Sequence, residues 1–256
     1  MDKVVELKNV TMSYHTLDGE TQAIKNLSLD VRRGEFVSIV GPSGCGKSTL
    51  LSLISGLLKP SSGEIFIDNE PVNGPSSNVG YMPQRDHLFE WRTILKNTTL
   101  GLEIQNKLNK ETLKNAERLL EEYGLGDFKN YYPKQLSGGM RQRAALIRTL
   151  AASPEILLLD EPFSALDYQT RLAISEEIWL IIKKEKKTAI LVTHDIAEAV
   201  SMSDRVFVLS QRPAEVKSEH QIALTTCDCK TPIICREAPE FRVYFNKIWK
   251  ELDVHV

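Results

Sequence analysis

The sequence lacks any apolar run long enough to cross a membrane. The longest, residues 50–58, is nine residues long and is broken by serine and glycine, whereas a membrane-spanning helix needs about 20 apolar residues. The first residues also lack the cationic segment and apolar core of a secretion signal. We therefore expect a protein that neither spans the membrane nor is secreted.

An excess of charge of either sign is also missing. The 256 residues carry 32 Lys and Arg against 34 Asp and Glu, a formal net charge of −2. Proteins that bind nucleic acid without sequence preference carry a basic patch, so the composition argues against a nucleic-acid partner. With 42% hydrophobic residues the chain can bury a large core, which favours one large domain, or one domain with an insertion.

Cysteine is scarce as well, with four residues in the chain. Their positions do not form the pattern of a disulfide framework. Cys227, Cys229 and Cys235 follow His220, which leaves a Cys₃His zinc site open. Because this spacing is not typical of zinc sites, we favour the interpretation that these cysteines are reduced thiols.

What is present is an alternation of strands and helices. Two β-rich segments, residues 4–14 and 24–31, open the chain and predict an N-terminal β segment. Further strands are predicted at residues 36–40, 64–68, 79–82, 156–159, 188–192 and 206–209, and helices at residues 49–58, 168–184 and 196–202. Asp195 and Glu198 are spaced as in a capping box at the start of the last helix. This alternation predicts a mostly parallel sheet covered by helices on both faces.

The middle of the chain changes character. From about residue 91 to residue 150 strand signals are weak, and apolar residues recur at helical spacing. We therefore divide the single domain into an α/β core at residues 1–84 and 156–213, a helical subdomain at 85–155 and a C-terminal extension at 214–256. In the extension, residues 241–252 have apolar side chains at helical spacing and mixed charges, which favours a helix packed on the core over one on a membrane surface.

A glycine-rich loop follows the strand at residues 36–40. It fits the pattern G-x-x-x-x-G-K-S, in which the glycines let backbone amides turn toward phosphate oxygens and the next helix points its positive end at them. Lys47 is placed to reach the β- and γ-phosphates of a nucleotide, and Ser48 to hold Mg²⁺ through its hydroxyl. The predicted nucleotide-binding residues here are Gly41, Pro42, Ser43, Gly44, Cys45, Gly46, Lys47, Ser48 and Thr49.

Two carboxylates follow the apolar strand at residues 156–159. Asp160 and Glu161 lie at its carboxyl end, where parallel α/β sheets bind ligands. Asp160 fits a metal contact, and Glu161 fits a general base that polarises an attacking water. By themselves the two residues fit a helix cap equally well, but the phosphate loop in the same chain favours catalysis.

Ser137, Gly138 and Gly139 precede an evident helix start. They predict a second helix N-terminus that can bind an anion. A lone Ser-Gly-Gly is usually a turn, but here it stands between a phosphate loop and an acidic strand. With these three elements in this order, the sequence resembles the ATP-binding subunits of ABC transporters over nearly its whole length.

The resemblance implies a P-loop NTPase fold of the RecA-like type, α/β with a mostly parallel sheet, an N-terminal antiparallel β segment and an inserted helical subdomain. It implies ATP and Mg²⁺ as ligands and ATP hydrolysis as the activity. It also implies that two copies of the chain pack head to tail. Ser137, Gly138 and Gly139 of one copy would then contact the ATP held by the other.

Further roles follow from the resemblance alone. Tyr14 matches an aromatic residue that stacks on adenine, although a core tyrosine is an alternative. Gln84 matches a residue that senses the γ-phosphate and the metal, His194 one that contacts the γ-phosphate, and Asp167 one that communicates across the dimer. The implied catalytic residues are thus Glu161, His194 and Gln84, and the implied metal contacts are Ser48, Gln84 and Asp160.

Several details resemble the nitrate, sulfonate and taurine importer branch of that family. They lie at residues 88–94, 101–103, 140–143 and 161–167. Glu90 departs from the branch, which usually has proline before the tryptophan. The branch also includes importers of thiamine-precursor pyrimidines, so the solute stays open, as does whether the paired ATPase subunits are identical.

The importer resemblance implies partners and a place in the cell. It implies a transmembrane permease subunit, an extracytoplasmic solute-binding protein reached indirectly, and a peripheral position on the cytoplasmic face of the cell membrane. Trp91 fits an anchor for the permease, or the core of the helical subdomain. An exporter ATPase and a soluble ABC ATPase stay open as alternatives.

Overall fold

The computed structural model describes residues 2–16, 19–225 and 231–252. Its strands are β1 (Lys3–Thr16), β2 (Gly19–Arg32), β3 (Phe36–Val40), β4 (Ser62–Ile67), β5 (Glu70–Pro71), β6 (Val79–Met82), β7 (Ile156–Asp160), β8 (Thr188–Thr193), β9 (Arg205–Leu209) and β10 (Val216–Gln221). Its helices are α1 (Lys47–Ile54), α2 (Ile94–Thr98), α3 (Leu100–Ile104), α4 (Lys110–Glu122), α5 (Gly138–Ala151), α6 (Tyr168–Lys184), α7 (Ile196–Met202), α8 (Pro232–Cys235) and α9 (Pro239–Glu251). These elements form two compact units, residues 1–76 with 186–256, and residues 77–185.

The first unit contains two kinds of strand pairing. Strands β2, β1, β4 and β5 form an antiparallel sheet in that order, as predicted for the N-terminal segment. Strand β3 pairs in parallel with β8 and with β9, and β10 pairs antiparallel with β9. Every residue of β3, β8 and β9 is buried, as is typical of strands in a parallel sheet covered on both faces.

The second unit combines one strand pair with helices α2 to α6. Strand β6 runs parallel to β7, with Val79 opposite Ile156. The N-terminus of α4 is closed by a capping box in which the Asn109 side chain accepts from the N–H of Thr112 and the Thr112 hydroxyl accepts from the N–H of Asn109. The predicted helical character of residues 91–150 is confirmed.

Several predicted boundaries agree with the structure, and others differ by one to five residues. The bounds of β3, β6, α6 and α7 are those predicted. Helix α1 ends at Ile54, whereas the sequence predicted a helix to residue 58. Gly56 adopts a φ of +76°, and a Cβ on it would lie 2.2 Å from the carbonyl oxygen of Gly74. The left-handed backbone at this close approach ends the helix before the apolar residues do.

Helix α9 belongs to the first unit and packs against its core, as the apolar spacing predicted. Ile248 is fully buried in a cluster with Val40, Ile196, Ala199, Val200, Val206 and Val208. Burial of an aliphatic side chain of this size contributes about 1.5–3 kcal/mol, so the contact holds the helix in place. Among the described residues, no helix combines the length and the hydropathy that crossing a membrane requires.

Candidate functional site

The predicted site residues divide between the two units. The first unit carries the phosphate loop, Tyr14 and His194, and the second carries Gln84, Asp160, Glu161, Asp167 and the segment Ser137, Gly138 and Gly139.

The glycine-rich loop between β3 and α1 has the backbone that its sequence predicts. Gly44 and Gly46 adopt φ values of +73° and +127°, which residues with a side chain rarely adopt. A Cβ on Gly46 would lie 3.0 Å from the carbonyl oxygen of Ala23, and a Cβ on Gly41 would lie 2.9 Å from the Cys45 sulfur. A residue with a side chain is therefore strained at Gly46, and at Gly41 it would require the Cys45 side chain to shift. Because Gly46 is also the N-cap of α1, no side chain of that residue competes with an anion for the first amides of the helix.

Lys47 lies against the inside of this loop. Its side chain is buried, and Nζ donates to the carbonyl oxygens of Gly41 at 2.8 Å and Pro42 at 2.9 Å. The ammonium group is therefore held at the loop by the loop's own carbonyls. Cys45 beside it is buried, and burial raises the pKa of its thiol, so Cys45 is a neutral packing residue rather than a nucleophile.

Tyr14 lies close to the start of α1. The residue is 37% exposed, which excludes a core tyrosine. Its hydroxyl is 3.2 Å from Thr49 Oγ1, one residue beyond the phosphate loop. The structure therefore brings Tyr14 to the helix on which the loop ends, with its ring accessible to a ligand.

His194 is exposed and directly follows β8. In the next helix, Asp195 Oδ1 accepts from the N–H groups of Ala197 at 2.7 Å and Glu198 at 3.1 Å, which confirms Asp195 as the N-cap. The Glu198 carboxylate accepts from the hydroxyl of Thr193 at 2.7 Å, and that hydroxyl oxygen accepts from the N–H of Asp195 at 3.0 Å. The link between Glu198 and the N-cap backbone thus runs through Thr193, which the sequence reasoning did not anticipate.

Asp160 ends β7 in the second unit and is 5% exposed. The Tyr81 hydroxyl donates to its Oδ2 at 3.0 Å. Burial, followed by the nearby Asp160 carboxylate, raises the pKa of Tyr81, so the phenol stays protonated and donates at neutral pH. Sequence reasoning missed Tyr81 as a site residue. The available signal was its strand, because β6 pairs with β7 and sets Tyr81 opposite Leu158, two residues before Asp160.

Glu161 and Gln84 lie together. Gln84 Nε2 donates to Glu161 Oε2 at 3.3 Å and to Ser164 Oγ at 3.3 Å, while the Ser164 hydroxyl donates to the Glu161 carbonyl at 3.0 Å. Glu161 has a φ of +44°, a left-handed conformation that costs a non-glycine residue about 1–3 kcal/mol. Strain of this kind is concentrated at functional sites, and the hydrogen bond from the Gln84 amide holds the Glu161 carboxylate here.

Ser137 is the N-cap of α5, and its Oγ accepts from the N–H of Met140 at 3.3 Å. A Cβ on Gly139 would lie 2.8 Å from Cδ1 of Ile174 in α6, and one on Gly138 would lie 3.3 Å from Leu166 Cδ2. The double glycine therefore lets α5 approach α6 and the segment before it, in addition to leaving the helix start open to an anion.

Asp167 is the N-cap of α6. Its Oδ1 accepts from the N–H of Thr170 at 3.1 Å, and the hydrogen bonds from Thr170 lower the pKa of Asp167. The side chain is exposed, so Asp167 caps its helix and remains accessible to another molecule.

Trp91 is 74% exposed. Its ring stacks on Phe89 with 4.8 Å between centroids, and the segment that follows is held by hydrogen bonds from the N–H of Ile94 to the Tyr131 carbonyl and from the N–H of Leu95 to the Lys129 carbonyl. The alternative of a core tryptophan is therefore wrong, and Trp91 and Phe89 form a surface pair.

Of the four candidate zinc ligands, His220 and Cys235 lie within the described residues. Cys227 and Cys229 lie outside the described residues. Cys235 is buried, and His220 Nε2 lies 2.9 Å from Glu251 Oε2 and 3.0 Å from Ser218 Oγ. Within residues 2–16, 19–225 and 231–252, no cluster of three or more His, Cys, Asp or Glu side chains could hold a metal ion.

Three relatives are similar along almost their full length. The uncharacterized ABC transporter ATP-binding protein YtlC of Bacillus subtilis is 46% identical over 97% of this chain and 95% of its own. The nitrate import ATP-binding protein NrtD of a Synechocystis species is 43% identical over 90% and 88%. The taurine import ATP-binding protein TauB of Roseobacter denitrificans is 35% identical over 96% and 94%.

The fold and the family agree with these relatives. A dimeric structure of the ATP-binding cassette MJ0796, bound to ADP and phosphate, matches with a TM-score of 0.73 and 36% identity over 86% of this chain and 99% of that one. This likeness confirms the predicted P-loop NTPase fold. The family described as ABC transporter matches residues 24–164. The chain therefore belongs to the ABC transporter family, as one of its subunits that bind and hydrolyse ATP.

Proposed function

We propose that the chain energises an importer of a small anion or organic solute of the nitrate, sulfonate or taurine type. The observation that carries this proposal is the similarity, over nearly the whole chain, to subunits named for nitrate and for taurine import. The exposed Trp91, stacked on the half-buried Phe89, supports it further, because an exposed aromatic side chain is a suitable anchor for a protein partner.

The phosphate loop is proposed to hold the phosphates of ATP. Its left-handed glycines and the Lys47 ammonium at its inner side fit a polyphosphate, and Tyr14 would stack on the adenine. In the first unit Ser48 would contact Mg²⁺ through its hydroxyl. In the second unit Gln84 and Asp160 are proposed as metal contacts, since both offer the oxygen donors that Mg²⁺ prefers and the Asp160 carboxylate is buried and oriented by Tyr81. The metal would neutralise charge on the phosphates.

Glu161 is proposed as the general base for the attacking water. Its carboxylate is held by the Gln84 amide at 3.3 Å on a strained backbone. A water that donates a hydrogen bond to the other carboxylate oxygen would therefore have a fixed orientation. His194 would donate to the γ-phosphate, for which its exposed position after β8 is suitable.

The partners of the chain are proposed to be a second copy and a permease. A cassette that is 36% identical has been solved as a dimer. In such a pair, Ser137, Gly138 and Gly139 at the start of α5 would contact the ATP of the other copy, and Asp167 would signal across the interface. The permease would hold the chain at the cytoplasmic face of the membrane, with a solute-binding protein acting from outside.

The test is a capture of tagged Glu161→Gln protein from native membranes with ATP present, identifying what is bound. A multi-span permease with an extracytoplasmic binding protein would support the importer, and the binding protein could then be titrated with nitrate, taurine and a pyrimidine. A permease alone favours the exporter alternative. Capture of no membrane protein contradicts transport and favours a soluble ABC ATPase. The matched control is Trp91→Ala in the same background, which we expect to lose the permease and retain ATP.

A further inference from the structure

A cleft of about 550 Å³ lies beside the first turns of α9, in the C-terminal extension. Two arginines, Arg236 and Arg242, line it together with Asn246, and the rings of Phe241 and Phe245 form its apolar wall. None of these residues belongs to the phosphate loop or to the other nucleotide-binding residues of the family.

The cleft carries a net positive charge. Its lining has two arginines against one acidic residue, Glu237. Neither guanidinium group forms an ion pair within the part of the chain that the structure describes, and the buried Nε of Arg236 has no hydrogen-bond partner there. The described chain therefore leaves both guanidinium charges beside the cleft without a carboxylate partner, and an anion bound in the cleft would pair with them.

The start of α9 adds to this positive potential. The helix runs from Pro239 to Glu251 with Ala238 as its N-cap, which offers no capping side chain, and a helix N-terminus favours negative charge. The acidic residue of its first turn, Glu240, is hydrogen-bonded to the Thr225 hydroxyl and to the Thr225 N–H. These hydrogen bonds lower the pKa of Glu240, so its carboxylate keeps a negative charge that offsets part of the potential of the helix start, while its oxygens are held toward the segment after β10.

The aromatic wall favours ligands that have an apolar part as well as a negative charge. The rings of Phe241 and Phe245 stack with 6.3 Å between centroids, and Phe245 stacks in turn on Trp249 at 6.1 Å. An apolar wall beside two guanidinium groups suits a ligand with an apolar body and one anionic group. We propose that the cleft binds a small organic anion, a carboxylate or sulfonate with such a body, with its charge on Arg236 and Arg242 and its body on the phenylalanine rings.

A ligand bound in this cleft would change the rate of ATP turnover, an inference that rests on the proposed function. Phe241 and Phe245 pack against the cluster that contains Val40 and Ile196. Val40 directly precedes Gly41 of the phosphate loop, and Ile196 follows His194 by two residues. A ligand that alters the packing of α9 would therefore shift the strand that leads into the phosphate loop and the helix that follows His194.

The experiment is a calorimetric titration of the full chain with benzenesulfonate, repeated by tryptophan fluorescence. We expect saturable binding, and binding at least tenfold weaker for benzenesulfonamide, which is similar in shape but neutral. Arg236→Gln and Arg242→Gln should each weaken benzenesulfonate binding by about tenfold, the loss expected for one charge-assisted hydrogen bond. Lys250→Gln, an exposed cation on the same helix, should bind as the wild type does.

Other outcomes overturn the proposal. Inorganic sulfate binding as tightly as benzenesulfonate would show a simple anion site, and displacement of benzenesulfonate by phosphatidylglycerol vesicles would show a lipid surface. Equal affinity for the sulfonamide, or no saturable binding, also refutes it, and neither result depends on a variant that folds. Binding of a fluorescent ATP analogue is measured in the same preparation, so that failure of nucleotide binding is distinguished from failure of the cleft.

Discussion

Replacing Thr193 with valine removes one hydroxyl and keeps the shape of the side chain. That hydroxyl connects two groups, since it donates to Glu198 at 2.7 Å and accepts from the N–H of Asp195 at 3.0 Å. Thr193 is 2% exposed and Glu198 is 3% exposed, so water does not readily replace it. The valine leaves the buried Glu198 carboxyl group without this donor, which costs about 1–3 kcal/mol, and it removes a hydrogen bond from the Asp195 N–H, which contributes about 0.5–1.5 kcal/mol. We therefore expect Thr193→Val to lower the free energy of unfolding by about 1.5–4.5 kcal/mol.

The measurement is urea unfolding followed by circular dichroism, with Thr193→Ser as the matched control. Serine keeps the hydroxyl and loses only a methyl group, which costs about 1 kcal/mol. Because the next residue is His194, ATP turnover should also fall more in the valine variant than in the serine variant. If the two variants are equally stable, the hydroxyl contributes nothing and Asp195 alone starts α7, which would refute the reasoning.

Three further predictions concern the nucleotide machinery and acid stability. Glu161→Gln should retain ATP binding in a calorimetric titration and lower steady-state turnover by about 10²–10⁴, the usual loss for a general base; turnover at the wild-type rate would contradict its role. Gly46→Ala should fold but lose ATP affinity by about tenfold or more, since the left-handed backbone and the nearby Ala23 carbonyl both oppose a Cβ. Hydrogen bonds from Thr170 lower the pKa of Asp167 in the folded chain. The ionised Asp167 therefore stabilises the fold at any pH above the pKa of an unfolded aspartate, and this stabilisation is lost as the pH falls through the lower pKa of the folded state. Thermal unfolding between pH 2 and pH 6 should therefore show a weaker acid dependence for Asp167→Ala than for the wild type, and an identical dependence would count against the cap.

The exposed Trp91 shows how a residue changes meaning between sequence and structure. The sequence left it as either a partner anchor or part of a core, because an aromatic residue near a helix start fits both. Its 74% exposure and its stacking on Phe89 exclude the core. The exposure of a side chain depends on which parts of the folded chain cover it, and the residues next to it in the sequence do not reveal this.

The sequence by itself determined the features that depend on neighbouring residues. The bounds of β3 and α6 follow from apolar runs and helical spacing, and the phosphate loop follows from glycines whose backbone conformations no other residue adopts easily. These signals lie within a few residues, so they can be recognised without knowing what packs against them. The family followed from the order of such local motifs along the chain.

Only the tertiary structure decided which distant side chains meet. The hydrogen bond from Tyr81 to Asp160 joins residues 79 positions apart, and the one from Gln84 to Glu161 joins residues 77 positions apart. The early end of α1 likewise required the backbone of Gly74 beside Gly56. The pairing of strands and the packing of helices fix these contacts, and the free energy of each depends on burial that arises only when the chain has folded.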